Sequence, residues 1–229
     1  TLGATAGPQS LTVSSGSASL EVTATAVPVG PGSVAISPSD GDFTWLGQAR
    51  SYSASVLDLL GNPLPLEPVS WTTTDPAVAT VDTAGVVTAT GTGVATLVAS
   101  AGTVADSLSL SVIQVPDSIV VSPDSVAVEP GESTSISAVV LDAGGSTIPG
   151  ASVDWNSSMP ALASVDSLGT VRGEAEGTAV VTATAGGVSG SAFVAVTAPS
   201  PATLEIVSGN AQSAPAGTIL PDSVVVRVL

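Results

Sequence analysis

Hydrophobic and polar residues alternate with a period of two along many short stretches of this chain. Residues 107–112, Ser-Leu-Ser-Leu-Ser-Val, put Leu108, Leu110 and Val112 on one face and serines on the other. That spacing predicts a strand with one buried side. Residues 133–140 repeat the pattern with Ile136, Ala138 and Val140, and Val69 alternates with Trp71 as Val153 does with Trp155. Turn signals separate the runs: Gly-Asn-Pro at Gly61, Thr-Ala-Gly before Val86, Ser-Leu-Gly before Thr170 and Ala-Gly-Gly at Ala185.

The runs recur. Sliding the chain over itself by 84 residues matches Ala54 with Ala138, Asp58 with Asp142, Gly61 with Gly145, Trp71 with Trp155, Asp82 with Asp166, Gly85 with Gly169 and Gly93 with Gly177, all without a gap. A domain-sized period means tandem copies of one unit. About seven short strands per copy, divided by Gly, Pro and Asp, predict an antiparallel β-sandwich. The reading is therefore all-β: tandem immunoglobulin-like sandwiches over 31–115 and 116–197. Residues 1–30 read as the C-terminal fragment of one copy and 198–229 as the N-terminal fragment of another. The 84-residue register puts Phe43 on Ala127 and Trp45 on Glu129, and a separate match of residues 1–7 to 96–102 puts Gly7 on Gly102.

Residues 78–89 read Val-Ala-x-Val-Asp-x-x-Gly-x-Val-x-Ala behind a Trp strand, and residues 93–99 add Gly-x-Ala-x-Leu-x-Ala; the second copy follows suit at 162–171 and 177–183. This arrangement resembles the group 2 family of bacterial immunoglobulin-like domains. The resemblance implies the sandwich fold and a place in stalk or adhesin modules of bacterial surface proteins, or as an appendage of a phage virion. The core is expected to contain Trp71, Trp155, Val81 and Val165, with each indole covering both sheets where other sandwiches carry a disulfide.

Composition narrows the chemistry. The chain has no Cys and no His, and its three basic residues are Arg50, Arg172 and Arg227 against nineteen carboxylates, a net charge of −16. Without disulfides, packing alone must close each core. Nucleic-acid binding requires clustered cations and is excluded; no membrane insertion is expected, because no apolar run reaches the ~18 residues of a spanning helix. Absent His, Cys and Lys, the common bases and nucleophiles are missing, and Gly-Val-Ser-Gly-Ser at Gly187 lacks the spacing of a hydrolase elbow. No enzyme is expected. Asp82 and Asp166, just before turns, read as caps for backbone N–H groups. Asn156-Ser157-Ser158 matches a glycosylation sequon at chance level.

No cofactor is expected, with calcium the one candidate, since it takes oxygen ligands. The residues are Asp40 and Asp42 around Gly41, and Asp106, Asp117 and Asp124 near the junction of the copies. Residues that break the repeat are candidates for a contact surface: Phe43 and Trp45 where the second copy has Ala127 and Glu129, and Phe193 where the first has Ser109. The competing reading for Phe43 and Trp45 is extra core or edge packing. Proline-bearing junctions at Pro28, Pro116 and Pro199 predict short, semi-rigid connections. The expectation is a non-catalytic extracellular spacer or adhesive stalk, on a bacterial surface or secreted, touching neighbouring domains, copies of itself, a glycan or a host surface. A filament built by strand complementation between the terminal fragments is the alternative, although the fragments together fall short of one copy and lack its Trp strand.

Overall fold

The computed structural model describes residues 7–26, 30–199, 203–219 and 222–228. Residues 1–6, Pro28, residues 200–202 and Leu229, on which parts of the terminal matches and linkers rest, lie outside the described residues. Those described contain strands and turns and no helix. The chain divides into two compact units, one comprising Thr1–Val120, Val139–Ser152 and Ala185–Val188, the other Val121–Ala138, Val153–Thr184 and Ser189–Leu229.

β1 (Gly7–Ser15) and β2 (Ala18–Ala26) form an antiparallel hairpin with Leu11 opposite Val22 and Val13 opposite Leu20. Its turn lies at Gly16, with φ +61°, matching Gly102 and Gly186 at +57° in the later hairpins. Gly16, and not Gly7, is therefore the counterpart of Gly102.

The first sandwich runs β3 (Pro31–Ser37), β4 (Asp42–Phe43), β5 (Ala49–Ser51), β6 (Ser53–Asp58), β7 (Ser70–Thr73), β8 (Ala79–Val81), β9 (Val86–Ala89), β10 (Gly93–Ala101) and β11 (Val104–Val112). One layer is β4-β11-β10-β7; the other is made of β3-β6 and β5-β9-β8. The predicted seven strands become nine because the first two are each broken. Pro38 has no N–H to extend a ladder, and the chain crosses from β3, antiparallel to β6, to β4, parallel to β11. The second break is at Tyr52, whose N–H donates to the Gly85 carbonyl at 2.9 Å.

The second copy repeats this with β12 (Ser118–Ser122), β13 (Ser125–Val128), β14 (Ser133–Ser135), β15 (Ser137–Leu141), β16 (Asp154–Ser157), β17 (Ala163–Val165), β18 (Thr170–Gly173), β19 (Gly177–Ala185) and β20 (Val188–Val196). Its sheets are β13-β20-β19-β16, β12-β15 and β14-β18-β17. β21 (Leu204–Ser208) pairs antiparallel with β22 (Val225–Val228).

Alternation delivers burial as expected. Leu110 and Val112 are fully buried and Leu108 packs at the margin of the same core. In the first sandwich Phe43, Leu97, Leu110, Val87 and Val112 fill the centre, while in the second copy Val171, Val181, Val194 and Val196 are fully buried. At about 1.5–3 kcal/mol for each such side chain, these strands supply the main stabilising term without a disulfide. Trp71 and Val81 pack against the first core from its margin. Trp155 and Val165 are likewise half-buried, so the centre of each core is aliphatic or Phe43 and not indole.

Candidate functional site

The letters that the two copies share serve the backbone. Asp82 Oδ1 accepts hydrogen bonds from Ala84 N–H (2.9 Å) and Val86 N–H (2.8 Å). Asp166 Oδ1 accepts from Leu168 N–H (2.9 Å) and Thr170 N–H (2.8 Å). The backbone donors of Thr170 and Leu168 hold the Asp166 carboxyl below the ordinary range. Both acids cap turns, as the sequence predicts. The glycine closing each turn lies under the tryptophan. At Gly85 (φ +81°) a Cβ would stand 2.5 Å from the Tyr52 carbonyl oxygen and 3.0 Å from Trp71 Cε2. At Gly169 (φ +81°) it would meet the Ile136 carbonyl oxygen at 2.4 Å and Trp155 Cζ2 at 3.2 Å. Each indole thus links the sheet that carries it to a turn of the other sheet.

The candidate contact surface divides. Phe43 is 0% exposed, at the heart of the first core, so it is not a surface residue. Strand pairing shows why: Phe43 sits opposite Val112 on β11 as Val128 sits opposite Val196 on β20. Its structural counterpart is therefore Val128, one place beyond Ala127. Gly47 and Gly131 still correspond, donating to the carbonyls of Ala89 and Gly173 respectively. The first copy consequently holds one extra residue between Phe43 and Gly47, in the turn that carries Trp45 and Leu46. Phe193 does face outward, 48% exposed on β20, with its N–H donating to the Asp124 carbonyl.

Around Phe43 the crossover from β3 to β4 is tied by Arg50. Its guanidinium lies 5.2 Å from the Phe43 ring centroid, pairs with Asp40 Oδ2 at 2.7 Å, and donates to the carbonyls of Asp40 and Asp42 at 2.8 and 3.0 Å. The Tyr52 hydroxyl donates to the same Asp40 carbonyl at 2.7 Å. The Asp42 N–H, and then Arg50, hold the Asp40 carboxyl below its usual range, against the opposing effect of desolvation. These residues knit a strand end.

The other acids proposed as calcium ligands are not gathered. Asp106 accepts from Ile36 N–H and Ser107 N–H. Asp117 N–H donates to the Leu141 carbonyl, and Asp124 approaches Ser125 Oγ at 3.5 Å. Among the described residues, no group of three or more His, Cys, Asp or Glu stands where a metal could be held.

Two features were missed from sequence. Asp142, recognised there only as a repeated acid, is 1% exposed and accepts four donors. Oδ1 takes Gly144 N–H (3.0 Å) and Ser146 N–H (2.8 Å), which closes its own turn. Oδ2 takes Leu46 N–H (3.0 Å) and Gln114 Nε2 (2.9 Å), and Gln114 Nε2 also donates to the Thr147 carbonyl at 3.0 Å. All these residues belong to the first compact unit. Burial works to raise the Asp142 pKa, but the donors from Gln114, Leu46, Ser146 and Gly144 outweigh it and hold the carboxyl below the ordinary 3.8. The second feature is the loop after β6, where Leu59, Leu60 and Leu66 are exposed and Pro63, Leu64, Pro65, Leu66 and Glu67 line a shallow concavity. The apolar Leu-Pro-Leu run at 64–66 was its signal.

With this geometry in hand, similarity to known proteins is informative. The family described as bacterial Ig-like domain (group 2) matches residues 116–196. Ice-binding protein 1 of Shewanella frigidimarina is 32% identical over 131 residues, which is 56% of this chain and 15% of that protein. Among solved structures, the Escherichia coli adhesin FdeC superposes with a TM-score of 0.49 at 18% identity, covering 84% of this chain and 74% of that one. The surface layer protein SbsC, domains 1-6, gives 0.38 at 20% identity over 83% and 32%. At these scores neither solved structure bears on what this chain does.

Proposed function

Because residues 116–196 are a bacterial Ig-like domain of group 2 and the chain carries a second copy in tandem, we propose that it is a non-catalytic structural or adhesive stalk segment of an extracellular bacterial protein. One observation carries the reading: what the copies hold in common is turn caps, a Trp–Gly contact and core faces, and none of it converges on a reactive centre. Repetition of a fold without a repeated site adds length and surface, and any adhesive contact belongs to residues that differ between copies. The partial relative agrees in kind, since the chain spans about 15% of that protein's length, as a shared module would. The net charge of −16 keeps such a surface soluble and self-repelling. Partners in this reading are neighbouring Ig-like domains, with a glycan or host surface as the further class.

A second reading, a filament subunit joined by strand complementation, draws on the bare apolar face of the β1–β2 hairpin: Leu11, Val13, Leu20 and Val22 are all exposed. Sedimentation of the purified chain across concentration separates the two. The stalk reading predicts a monomer of 21.9 kDa throughout; mass growing without limit supports the filament. Antibody labelling of intact cells tests location, and an epitope reached only after lysis would overturn the extracellular assignment.

A further inference from the structure

The clasp on Asp142 is made by residues that the repeat does not supply twice. We propose that the Trp45–Leu46 turn and Gln114 form a selective socket for an Ig-like repeat whose corresponding loop reads Asp-x-Gly, so that this coupling is encoded for one junction and not for every junction in the array.

Three observations lead there. First, the donors are private to the first copy. Leu46 donates its N–H to Asp142 Oδ2 from the turn that holds the extra residue, whereas the second copy places Pro130, which has no N–H, in the corresponding turn. Gln114, which donates to both Asp142 and the Thr147 carbonyl, corresponds to Ala198, which carries no side-chain donor. The second copy thus lacks both donors, and a following repeat with the same acid would not be held in this way. Secondly, the carboxylate is shared between two tasks. Oδ1 closes the loop and Oδ2 receives the socket, so the loop presents a preformed acceptor that needs little ordering on docking. Thirdly, the socket discriminates by size. A Cβ at Gly144 would stand 2.7 Å from the Leu46 carbonyl oxygen and 2.8 Å from Trp45 Cδ1, so only glycine fits. The first copy carries Leu60 at that place in its own loop. The acid is common to both loops; the glycine decides which loop the Trp45 turn accepts. This also gives Trp45 a role as a contact residue for the neighbouring repeat. The inference rests on the tandem arrangement and not on the stalk reading, and holds equally for a filament.

The test is amide hydrogen exchange by NMR on the full chain, comparing the native protein with Gln114→Ala and Gly144→Leu. Losing one donor to a buried carboxylate should speed exchange at Leu46 on the order of 10-fold in Gln114→Ala. Gly144 and Ser146 amides, which serve the loop's own turn, should keep their protection. Gly144→Leu should speed Leu46 exchange further while Leu97 and Leu108, paired within the first sandwich, stay protected. Unchanged Leu46 exchange in both variants, with both folded, would overturn the proposal. So would equal loss at Leu46, Gly144 and Ser146 in Gln114→Ala, because the socket would then be no more than part of the loop's folding. Should Gly144→Leu fail to fold, Gly144→Ala carries the same steric test.

Discussion

Replacing Gly85 with Ala isolates the contact that keeps Trp and Gly in step. The residue is held at φ +81°, its carbonyl accepts from Tyr52 N–H at 2.9 Å, and its own N–H donates to the Asp82 carbonyl at 3.1 Å. A left-handed conformation costs an alanine about 1–2 kcal/mol. The new Cβ, 2.5 Å from a backbone oxygen and 3.0 Å from the indole, adds about 1–3 kcal/mol of overpacking, because backbone on one side and a ring on the other leave little room to yield. The expected loss is about 3 kcal/mol, which for a sandwich of this size lowers its midpoint by about 12–24 °C. Gly61 is the control within the same sandwich. Its φ is +83° and nothing lies within 4 Å of its Cβ position, so Gly61→Ala should lose only the conformational part, about 1–2 kcal/mol. Urea unfolding followed by tryptophan fluorescence reads both, with Trp45 and Trp71 carried by the first copy and Trp155 by the second. Equal losses from Gly85→Ala and Gly61→Ala would refute the packing argument and leave backbone conformation alone as the reason for the glycine.

Further outcomes follow from the same geometry. Tyr52→Phe removes the hydroxyl bond to the Asp40 carbonyl and should cost about 1 kcal/mol in urea titration; no loss would show that water replaces it freely. The lowered carboxyl pKa values of Asp142, Asp166 and Asp40 make stability present above the unfolded value and lost as pH falls through the folded one, so acid unfolding should develop below the ordinary 3.8. Asp142→Asn should flatten that dependence, as read from thermal midpoints between pH 5 and pH 2. For calcium, a site with a dissociation constant of about 1 mM would add about 1.4 kcal/mol at 10 mM ion; the expected result is no difference between calcium and chelator, and a rise of that size would establish a site.

Most of the fold was legible because the repeat states it twice. The alternation around Leu108 and Leu110, the caps at Asp82 and Asp166, and the paired Trp–Gly letters each follow from a local rule of strand or turn chemistry. What escaped was set by a single inserted residue. The ungapped offset placed Phe43 on Ala127, yet Ser37-Pro38 and Ser122-Pro123 lie 85 apart and not 84, a signal that the first strand was out of register. Correcting for it moves Phe43 into the core. Trp71 and Trp155 are large enough to read as core centres, but they sit on edge strands and reach across to a turn. The Asp142 clasp was invisible because the local differences from the Asp58 loop, such as Gly144 in place of Leu60, name no partner; the partners come from residues 46 and 114, and only folding brings them together.

Stretching the chain between its ends in single-molecule force spectroscopy tests the tandem-spacer reading most directly. Two independently folded sandwiches of about 80 residues each predict two separate unfolding events, each releasing about 26–29 nm of chain, at 3.3–3.6 Å per residue, less the folded length. A single event of twice that length, or extension without a resisting step, would contradict the view that these copies are separate load-bearing units.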